Sequence, residues 1–538
     1  MKPIKDLEIG FGDAENYLQR KNRDFFNFVF IHNRYLDKIL EPNRYFLVGE
    51  KGTGKTAYSA FLSNNRDFKG YVSCLKFIRE TEYAKFVNMK RRNSLDLSDY
   101  ADVWMVILML LFAGLLSPKD IDDNIVSRSI RFNAIKKACE DFYKTAFSPE
   151  IAQAIRFVEE SKSTARLVNK WMSASAEISE SERQIRDASL FQTNLLYLKR
   201  TFIEALSRLR LKGNHLLFID GIDVRPGDIP FKDYLECVKG LANAVWQLNT
   251  DIFPNFRDTP GRFRVILLVR PDIFNSLGLQ NSTNKIHDNS VFLDWNTTYA
   301  DYQTSDLYRL SNKMLQWKQT EGIDSSMDIW DMYFPWTISD APQMRFMKDN
   351  SFIYFLRYSY CRPRDIVSAV GLLKESAFSM GMGDSCIFSK ELVDSAYFKN
   401  QYSEFLLSGI KDQLSFYYTE DDYQVFRNFF MWLKGRCDFD YQYFSAAFDS
   451  FMVSLKRKNL CVPNFLNSSE AFLQFLYDMN VLAYKERTDK GSFVRWCYRE
   501  RCISNLSPRV ELDGQYTIHY GLRKALNLGY ASRIEEKC

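Results

Sequence analysis

Short apolar runs alternate with longer amphipathic segments over the first 300 residues of the chain. The runs typical of buried strands are 44–48, 71–77, 216–219, 264–269 and 291–295. Apolar residues recur at helical spacing in the segments 12–40, 55–63, 190–211 and 231–248. Parallel strands need crossover connections, which are usually helices. The alternation therefore predicts an α/β fold built on a parallel sheet.

A long helical region interrupts this alternation between residues 80 and 210. It contains the apolar run Val103–Leu116, which is shorter than the ~20 residues that a membrane-spanning helix needs. We therefore expect a buried core helix there and no contact with a membrane. The stretch Ser161–Arg186 is polar and weakly periodic, which favours an exposed helical insertion or a mobile linker.

The strand pattern ends at about residue 300. Residues 303–395 are predicted to form a helical bundle, and 396–538 to form helices followed by a β-ribbon. The ribbon would pair 493–499 with 515–519 and be closed by a helix from Gly521. Helices followed by such a ribbon suggest a winged helix.

One segment fits the phosphate-loop motif G-x-x-x-x-G-K-[ST], known as Walker A. Its residues are Gly49, Glu50, Lys51, Gly52, Thr53, Gly54, Lys55 and Thr56, and Ala57 follows. In this motif, backbone N–H groups and the following helix N-terminus bind phosphate. Lys55 is expected to contact the β- and γ-phosphates, and the Thr56 hydroxyl to ligate Mg²⁺. The segment lies between a predicted strand and a predicted helix, as the motif requires.

A second candidate follows the strand 216–219. Asp220 at its end is typical of a Walker B carboxylate that holds Mg²⁺. The next residue is Gly221, where AAA+ ATPases usually carry a catalytic glutamate. Asp223 is then the nearest carboxylate that could orient the attacking water, and the alternative is a helix N-cap or turn residue.

A third candidate follows the strand 264–269. Arg270 could sense the γ-phosphate from this strand end, and the alternative is a surface arginine paired with Asp272. Ligands of open parallel sheets bind at the carboxyl ends of the strands. We therefore expect Lys55, Asp220, Asp223 and Arg270 to gather along one sheet edge as catalytic residues.

These motifs resemble the STAND class of P-loop NTPases, including its NACHT-type members. The resemblance rests on the strand followed by Asp220-Gly-Ile-Asp223, on Arg270-Pro271, and on Cys361-Arg-Pro-Arg-Asp-Ile366. It implies a nucleotide-controlled switch with three parts: an NTPase domain at 1–300 with an insertion at about 80–210, a helical lid at 301–395, and a C-terminal domain at 396–538. It also implies that Pro363 lies near the adenine and that Arg364 contacts the phosphates, the alternatives being an ordinary first-turn proline and a surface arginine.

A closer resemblance, to FunZ-like bacterial P-loop ATPases, extends over nearly the whole chain. It is carried by Phe11-Gly12, the Walker motifs, Leu476–Leu482 and Tyr516–Leu526. Members of that group often belong to anti-phage defence systems, so the resemblance implies ATP and Mg²⁺ as cofactors, a homo-oligomer, and a separate nuclease or toxin as effector. Val224 stands where a second acidic residue is common, which implies slow hydrolysis. No repeat array is present to act as a sensor.

Composition and charge change this picture little. Only 23 glycines occur in 538 residues, so three within Gly49–Gly54 make a chance match less credible. The net charge of +5 does not indicate a nucleic-acid binder, because such a footprint must be local. The ten cysteines form no CxxC pair, and the start lacks a signal-peptide core, which favours a cytoplasmic protein without a Cys/His metal site.

Three functions stay open at this point. The leading one is an ATP-dependent switch with slow turnover. The second is a DNA-dependent ATPase resembling origin-type loaders, for which the basic residues after Leu455 and the aromatic residues Phe493, Trp496 and Tyr498 would supply contacts. The third is a scaffold that holds nucleotide permanently, which Gly221 would favour.

Overall fold

A computed structural model of the chain describes most of its residues. The described ranges are 1–78, 99–122, 124–145, 195–227, 229–256, 261–319, 328–338, 349–488 and 491–529. The predicted insertion at 161–186 lies outside them. The chain divides into two compact units. The first unit comprises Met1–Arg34, Gly49–Gly54 and Phe292–Cys538, and the second comprises Tyr35–Val48 and Lys55–Val291.

The second unit is built on a five-stranded parallel sheet, which confirms the predicted α/β class. Its strands are β1 (Phe46–Val48), β2 (Tyr71–Phe77), β3 (Asn214–Asp220), β4 (Phe263–Val269) and β5 (Ser290–Phe292). The order is β2-β3-β4-β1-β5. β4 therefore lies between β1, which leads into the phosphate-loop motif, and β3, which ends at Asp220.

The helices of the second unit follow the strands as the crossover rule requires. They are Lys55–Asn64, Asp99–Leu115, Ile125–Thr145, 195–207, Phe231–Gln247, Pro271–Ser276 and Ser282–Asn289, with Arg34–Leu40 before β1. The predicted core helix is confirmed, because every residue from Val103 to Leu111 is at most 3% exposed. It packs on Phe231–Gln247, where Trp104 Nε1 donates a hydrogen bond to the Cys237 carbonyl at 3.2 Å.

The first unit is mainly helical. Its helices are Arg23–Val29, Asp306–Gln316, Ile329–Tyr333, Ser351–Tyr358, Pro363–Ser379, Lys390–Asp394, Ala396–Leu414, Glu420–Phe429, Tyr441–Arg457, Ser469–Asp478 and Cys497–Glu500. Two short strands, β6 (Thr337–Ile338) and β7 (Asp349–Asn350), pair with each other in antiparallel orientation. Buried phenylalanines from several helices pack edge to face in the C-terminal part, for example Phe429 against Phe472 and Phe444.

The predicted continuous helix at 12–40 is wrong. The segment contains short 3₁₀ turns and two helices, Arg23–Val29 and Arg34–Leu40. Lys313 Nζ donates to the carbonyls of Phe28 and Phe30 at 3.0 and 3.2 Å. Carbonyl groups at the end of the first helix are thus satisfied by a distant side chain, a tertiary contact that the local pattern does not contain.

The predicted two-stranded ribbon is also wrong in its pairing. The sheet has four antiparallel strands in the order β10-β9-β11-β8. They are β8 (Asp438–Asp440), β9 (Leu482–Thr488), β10 (Gly491–Trp496) and β11 (Gln515–Ile518). Both β10 and β11 pair with β9 and not with each other. The sequence pattern did not predict β9, because the charged residues Lys485, Glu486 and Arg487 interrupt its apolar alternation.

Within the part of the chain that the structure describes, no helix combines the length and the apolar character that crossing a membrane requires.

Candidate nucleotide site

The segment between β1 and the helix Lys55–Asn64 forms a tight glycine-dependent loop. Gly52 and Gly54 have φ angles of +90° and +91°, a region that side chains with a Cβ rarely adopt. The Thr53 amide and hydroxyl both donate to the Glu50 carbonyl, at 3.2 and 2.8 Å. A Cβ on Gly49 would collide with the Thr53 side chain. The conformation of residues 49–54 thus depends on its glycines, and phosphate binding by this loop stays a prediction.

The motif is continuous in sequence but divided between the compact units. Residues 49–54 belong to the first unit, and Lys55 and Thr56, the first two residues of the helix, belong to the second. Lys55 is buried, at 6% exposure, and Ala57 follows Thr56 on the same helix.

In the second unit, the structure brings Thr56 and Asp220 together. The Thr56 hydroxyl donates to Asp220 Oδ2 at 2.6 Å, and the Gly221 amide donates to Asp220 Oδ1 at 2.8 Å. Burial raises the pKa of the Asp220 carboxyl, and the charge of Asp223 adds to this, whereas the Thr56 hydrogen bond and Lys55 act in the opposite direction. A buried carboxyl group with a hydroxyl beside it is therefore present where the sequence predicted a Walker pair.

The chemistry of this pair fits Mg²⁺. A carboxylate and a hydroxyl are hard oxygen ligands, and Mg²⁺ is usually held by one or two carboxylates together with substrate phosphates and water. Among the described residues, no group of three or more His, Cys, Asp or Glu side chains could hold a metal ion by itself. Any Mg²⁺ at Thr56 and Asp220 would take its remaining ligands from phosphate oxygens and water.

The backbone explains why glycine, not glutamate, follows Asp220. Gly221 has a φ of +98°, and a Cβ there would collide with the Ile78 carbonyl oxygen. The Ile78 amide also donates to the Asp220 carbonyl at 2.9 Å. A glutamate at 221 would need both a strained φ and displacement of the chain after β2.

Replacing Gly221 with alanine is expected to destabilise the second unit. A non-glycine residue in this region costs about 1–3 kcal/mol before any steric clash is counted. The matched control is Gly227→Ala in the same connection, where a Cβ would meet no atom within 4 Å. Thermal melting should fall by several degrees for Gly221→Ala and stay near wild type for Gly227→Ala; equal melting temperatures would show that Gly221 is not needed for the backbone.

Asp223 lies in the turn that follows Gly221. It is half-buried, and its Oδ1 is buried without a hydrogen-bond partner among the described residues. No helix begins there, since the next one starts at Phe231. The alternative from the sequence is therefore confirmed as a turn residue and is wrong as a helix N-cap. Tyr234 Oη, which donates to the carbonyls of Ile222 and Val224 at 3.1 and 2.9 Å, ties down the turn. A role for Asp223 in orienting water stays a prediction.

Arg270 lies directly after β4 and is 2% exposed. Its Nε and Nη2 donate to the two carboxylate oxygens of Asp272 at 3.0 and 2.6 Å. The pairing with Asp272, which was the alternative from the sequence, is therefore present, but the arginine is buried and not on the surface. Its part in sensing a γ-phosphate stays a prediction.

In the first unit, the segment Cys361–Ile366 contacts the loop. Pro363 is the first residue of the helix Pro363–Ser379. The Arg364 amide lies 3.4 Å from the Gly52 carbonyl, and Arg364 Nε donates to the Gly12 carbonyl at 2.8 Å. Arg364 is thus beside the loop and not on an open surface, and its guanidinium holds the N-terminal segment.

Sequence reasoning missed several residues that hold the loop from outside. Trp295 Nε1 donates to the Thr53 carbonyl at 2.8 Å, Arg362 Nη1 donates to the Lys51 carbonyl at 2.7 Å, and Lys51 Nζ pairs with Asp412 at 2.6 Å. Arg501 pairs with Glu50. Arg362 lies in the segment Cys361–Ile366, which carries the family resemblance, so a contact with the loop could have been predicted for it. Arg501 and Trp295 belong to no motif.

Several of the C-terminal basic residues are paired within the first unit. Lys485 Nζ lies 2.9 Å from Asp438, and Arg495 pairs with Glu486 and Glu500 at 2.6 and 3.2 Å. These charges are therefore partly balanced and less suited to phosphate contacts than the sequence suggested.

No family model, curated protein or solved structure matches this chain. The resemblance to STAND and FunZ-like ATPases therefore rests on the quoted motifs alone.

Proposed function

We propose that this chain is an ATP-binding molecular switch that hydrolyses ATP slowly. The observation that carries the proposal is the Thr56–Asp220 hydrogen bond at 2.6 Å, because it joins the last Walker A residue to the residue predicted as Walker B. The two are 164 positions apart in sequence. A chance glycine-rich turn would have no reason to lie beside a buried carboxylate at the end of a parallel strand.

Each residue has a definite task in this proposal. The amides of residues 50–54 and the helix N-terminus bind the phosphates, and Lys55 neutralises the β- and γ-phosphate oxygens. Thr56 and Asp220 are the residues that would hold Mg²⁺. When bound, Mg²⁺ supplies charge neutralisation at the β- and γ-phosphate oxygens.

Slow hydrolysis follows from the residues after Asp220. Gly221 offers no carboxylate, and its backbone conformation does not admit one without strain. Asp223 keeps one buried carboxylate oxygen unpaired and is the candidate to orient water. It lies in a turn two residues beyond Gly221 and not at the position directly after Asp220, where AAA+ ATPases usually carry the catalytic glutamate.

The switch itself is proposed from the lid and from the family resemblance. Arg362 and Arg364 connect the start of the lid helix to the loop carbonyls of Lys51 and Gly52, so phosphate binding would act on this helix directly. The resemblance supports self-assembly and control of a separate nuclease or toxin in anti-phage defence.

Native mass measurement tests the switch. With ATP and Mg²⁺ we expect a species at a multiple of 63.2 kDa that is absent without nucleotide and absent for Lys55→Ala under both conditions. The same mass distribution with and without ATP would contradict assembly as the output of the switch.

A further inference from the structure

Glu50 is the only acidic residue of the motif, and its half-buried carboxylate lies beside two arginines and an asparagine. Its side chain is 12% exposed. Arg501 pairs with Oε1, Asn480 Nδ2 donates to Oε2 at 3.2 Å, and Arg362 Nη1 lies 3.8 Å from the same oxygen. All four residues belong to the first unit. The Glu50 carboxylate therefore has one partner at the N-cap of the helix Pro363–Ser379 and two in the C-terminal region.

Arg501 is itself held in place from several sides. It is 5% exposed, its Nε donates to the Leu506 carbonyl at 3.0 Å, and its Nη2 donates to the Asp478 carbonyl at 3.2 Å. A guanidinium presents its donors in a rigid fork. Because two edges of the fork are fixed by backbone carbonyls, the edge that meets Glu50 has a fixed position as well.

The negative charge of Glu50 would oppose phosphate binding by the loop if no cation balanced it. A carboxylate in the loop repels phosphate unless a cation neutralises it, and repulsion between buried charges is poorly screened. Removing one partner of a buried ion pair leaves the other charge uncompensated. Loss of Arg501 would therefore place an unbalanced negative charge in the loop that is to receive a polyanion.

We propose that Arg501 is a positioning residue for the phosphate loop: it fixes Glu50 and cancels its charge, so that residues 49–54 accept the nucleotide phosphates. The proposal rests on the proposed nucleotide-binding function. It makes the C-terminal region part of the nucleotide site's support, through a contact between residues 451 positions apart.

A double-mutant cycle with ATP affinity as the readout tests this role. The variants are R501Q, E50Q and the double variant E50Q/R501Q in the full chain, with ATP and Mg²⁺ titrated by calorimetry. We expect R501Q to weaken binding about tenfold, because coupling between close charged pairs is commonly of this size or larger. E50Q should change the affinity by less than about threefold, because it removes a repulsive charge. The double variant should bind about as well as E50Q.

The two residues of one ion pair are also coupled in stability, so thermal melting without nucleotide is measured for every variant. Loss of ATP affinity in R501Q and its rescue by E50Q, with melting temperatures that stay near wild type, is the result that a merely structural role would not give. The matched control is K485Q with D438N, an ion pair of the C-terminal sheet, which should leave ATP affinity unchanged. A double variant as weak as R501Q, or an R501Q variant as tight as wild type, would overturn the proposal.

R501K provides a second variant if R501Q does not fold. Lysine keeps the positive charge but cannot contact Leu506, Asp478 and Glu50 together. We therefore expect R501K to bind ATP about threefold more weakly than wild type and E50Q to relieve this loss. Wild-type ATP affinity for R501K would overturn the positioning role. If wild type itself binds no ATP, the proposed function fails, which is a different outcome from a missing rescue in a chain that binds.

Discussion

Replacing Lys55 with alanine is expected to remove ATP binding while leaving the fold intact. Lys55 begins the helix after the loop and is 6% exposed. An ammonium about 4 Å from a phosphate charge is worth about 4 kcal/mol at the effective dielectric of a protein site. Since about 1.4 kcal/mol corresponds to tenfold in affinity, the loss should exceed about a hundredfold.

Calorimetric titration with ATP and Mg²⁺ measures this loss, and thermal melting without nucleotide checks the fold. Lys232→Ala is the matched control, because Lys232 is an exposed lysine in the first turn of another helix of the same unit. Wild-type affinity in Lys55→Ala would show that the motif does not bind the phosphates.

Replacing Asp220 with asparagine is expected to abolish phosphate release and the magnesium dependence of ATP binding. The amide oxygen can still accept the Thr56 hydrogen bond seen at 2.6 Å, so the empty site should keep its form. The amide carries no negative charge with which to hold Mg²⁺. Loss of such electrostatic stabilisation typically costs ~100-fold or more in rate.

The measurement is single-turnover phosphate release, with ATP affinity determined in Mg²⁺ and in a chelator. Asp37→Asn is the control, because Asp37 forms an exposed ion pair with Lys69 in the same unit. We expect Asp220→Asn to bind ATP equally in both conditions and Asp37→Asn to behave as wild type. Magnesium-dependent binding in Asp220→Asn would remove Asp220 from the metal site.

The parallel sheet was predictable because its strands are continuous apolar runs. β2 has the predicted bounds, β3 is three residues longer than the predicted strand, and β4 is one residue longer. Buried parallel strands are covered on both faces, so their apolar residues form unbroken runs. β9 carries charged residues in an exposed hairpin, and a local apolar pattern could not indicate it.

The chemistry of the candidate site was predictable where one short segment carries it. The glycines of the loop, Lys55 and Thr56 form a contiguous motif, and Asp220 ends an apolar strand. The support of the loop was not predictable, because Arg501, Trp295 and Asp412 come from segments with no motif. Their contacts with Glu50, Thr53 and Lys51 depend on tertiary packing.

The sequence pattern also did not predict that the first 34 residues belong to the same compact unit as the residues from 292 onwards. Arg364 Nε donates to the Gly12 carbonyl at 2.8 Å, and Lys374 Nζ donates to the Leu7 carbonyl at 2.6 Å. Such contacts join the N-terminal segment to the helix Pro363–Ser379, and the contacting residues are more than 350 positions apart in sequence. The domain boundaries at 300 and 395 stay predictions.

Titration of the full wild-type chain with ATP, with and without Mg²⁺, tests the central claim most directly. The account predicts saturable binding of one ATP per chain that Mg²⁺ strengthens and that ADP competes for. Absence of binding under both conditions, in protein that melts cooperatively, would contradict it.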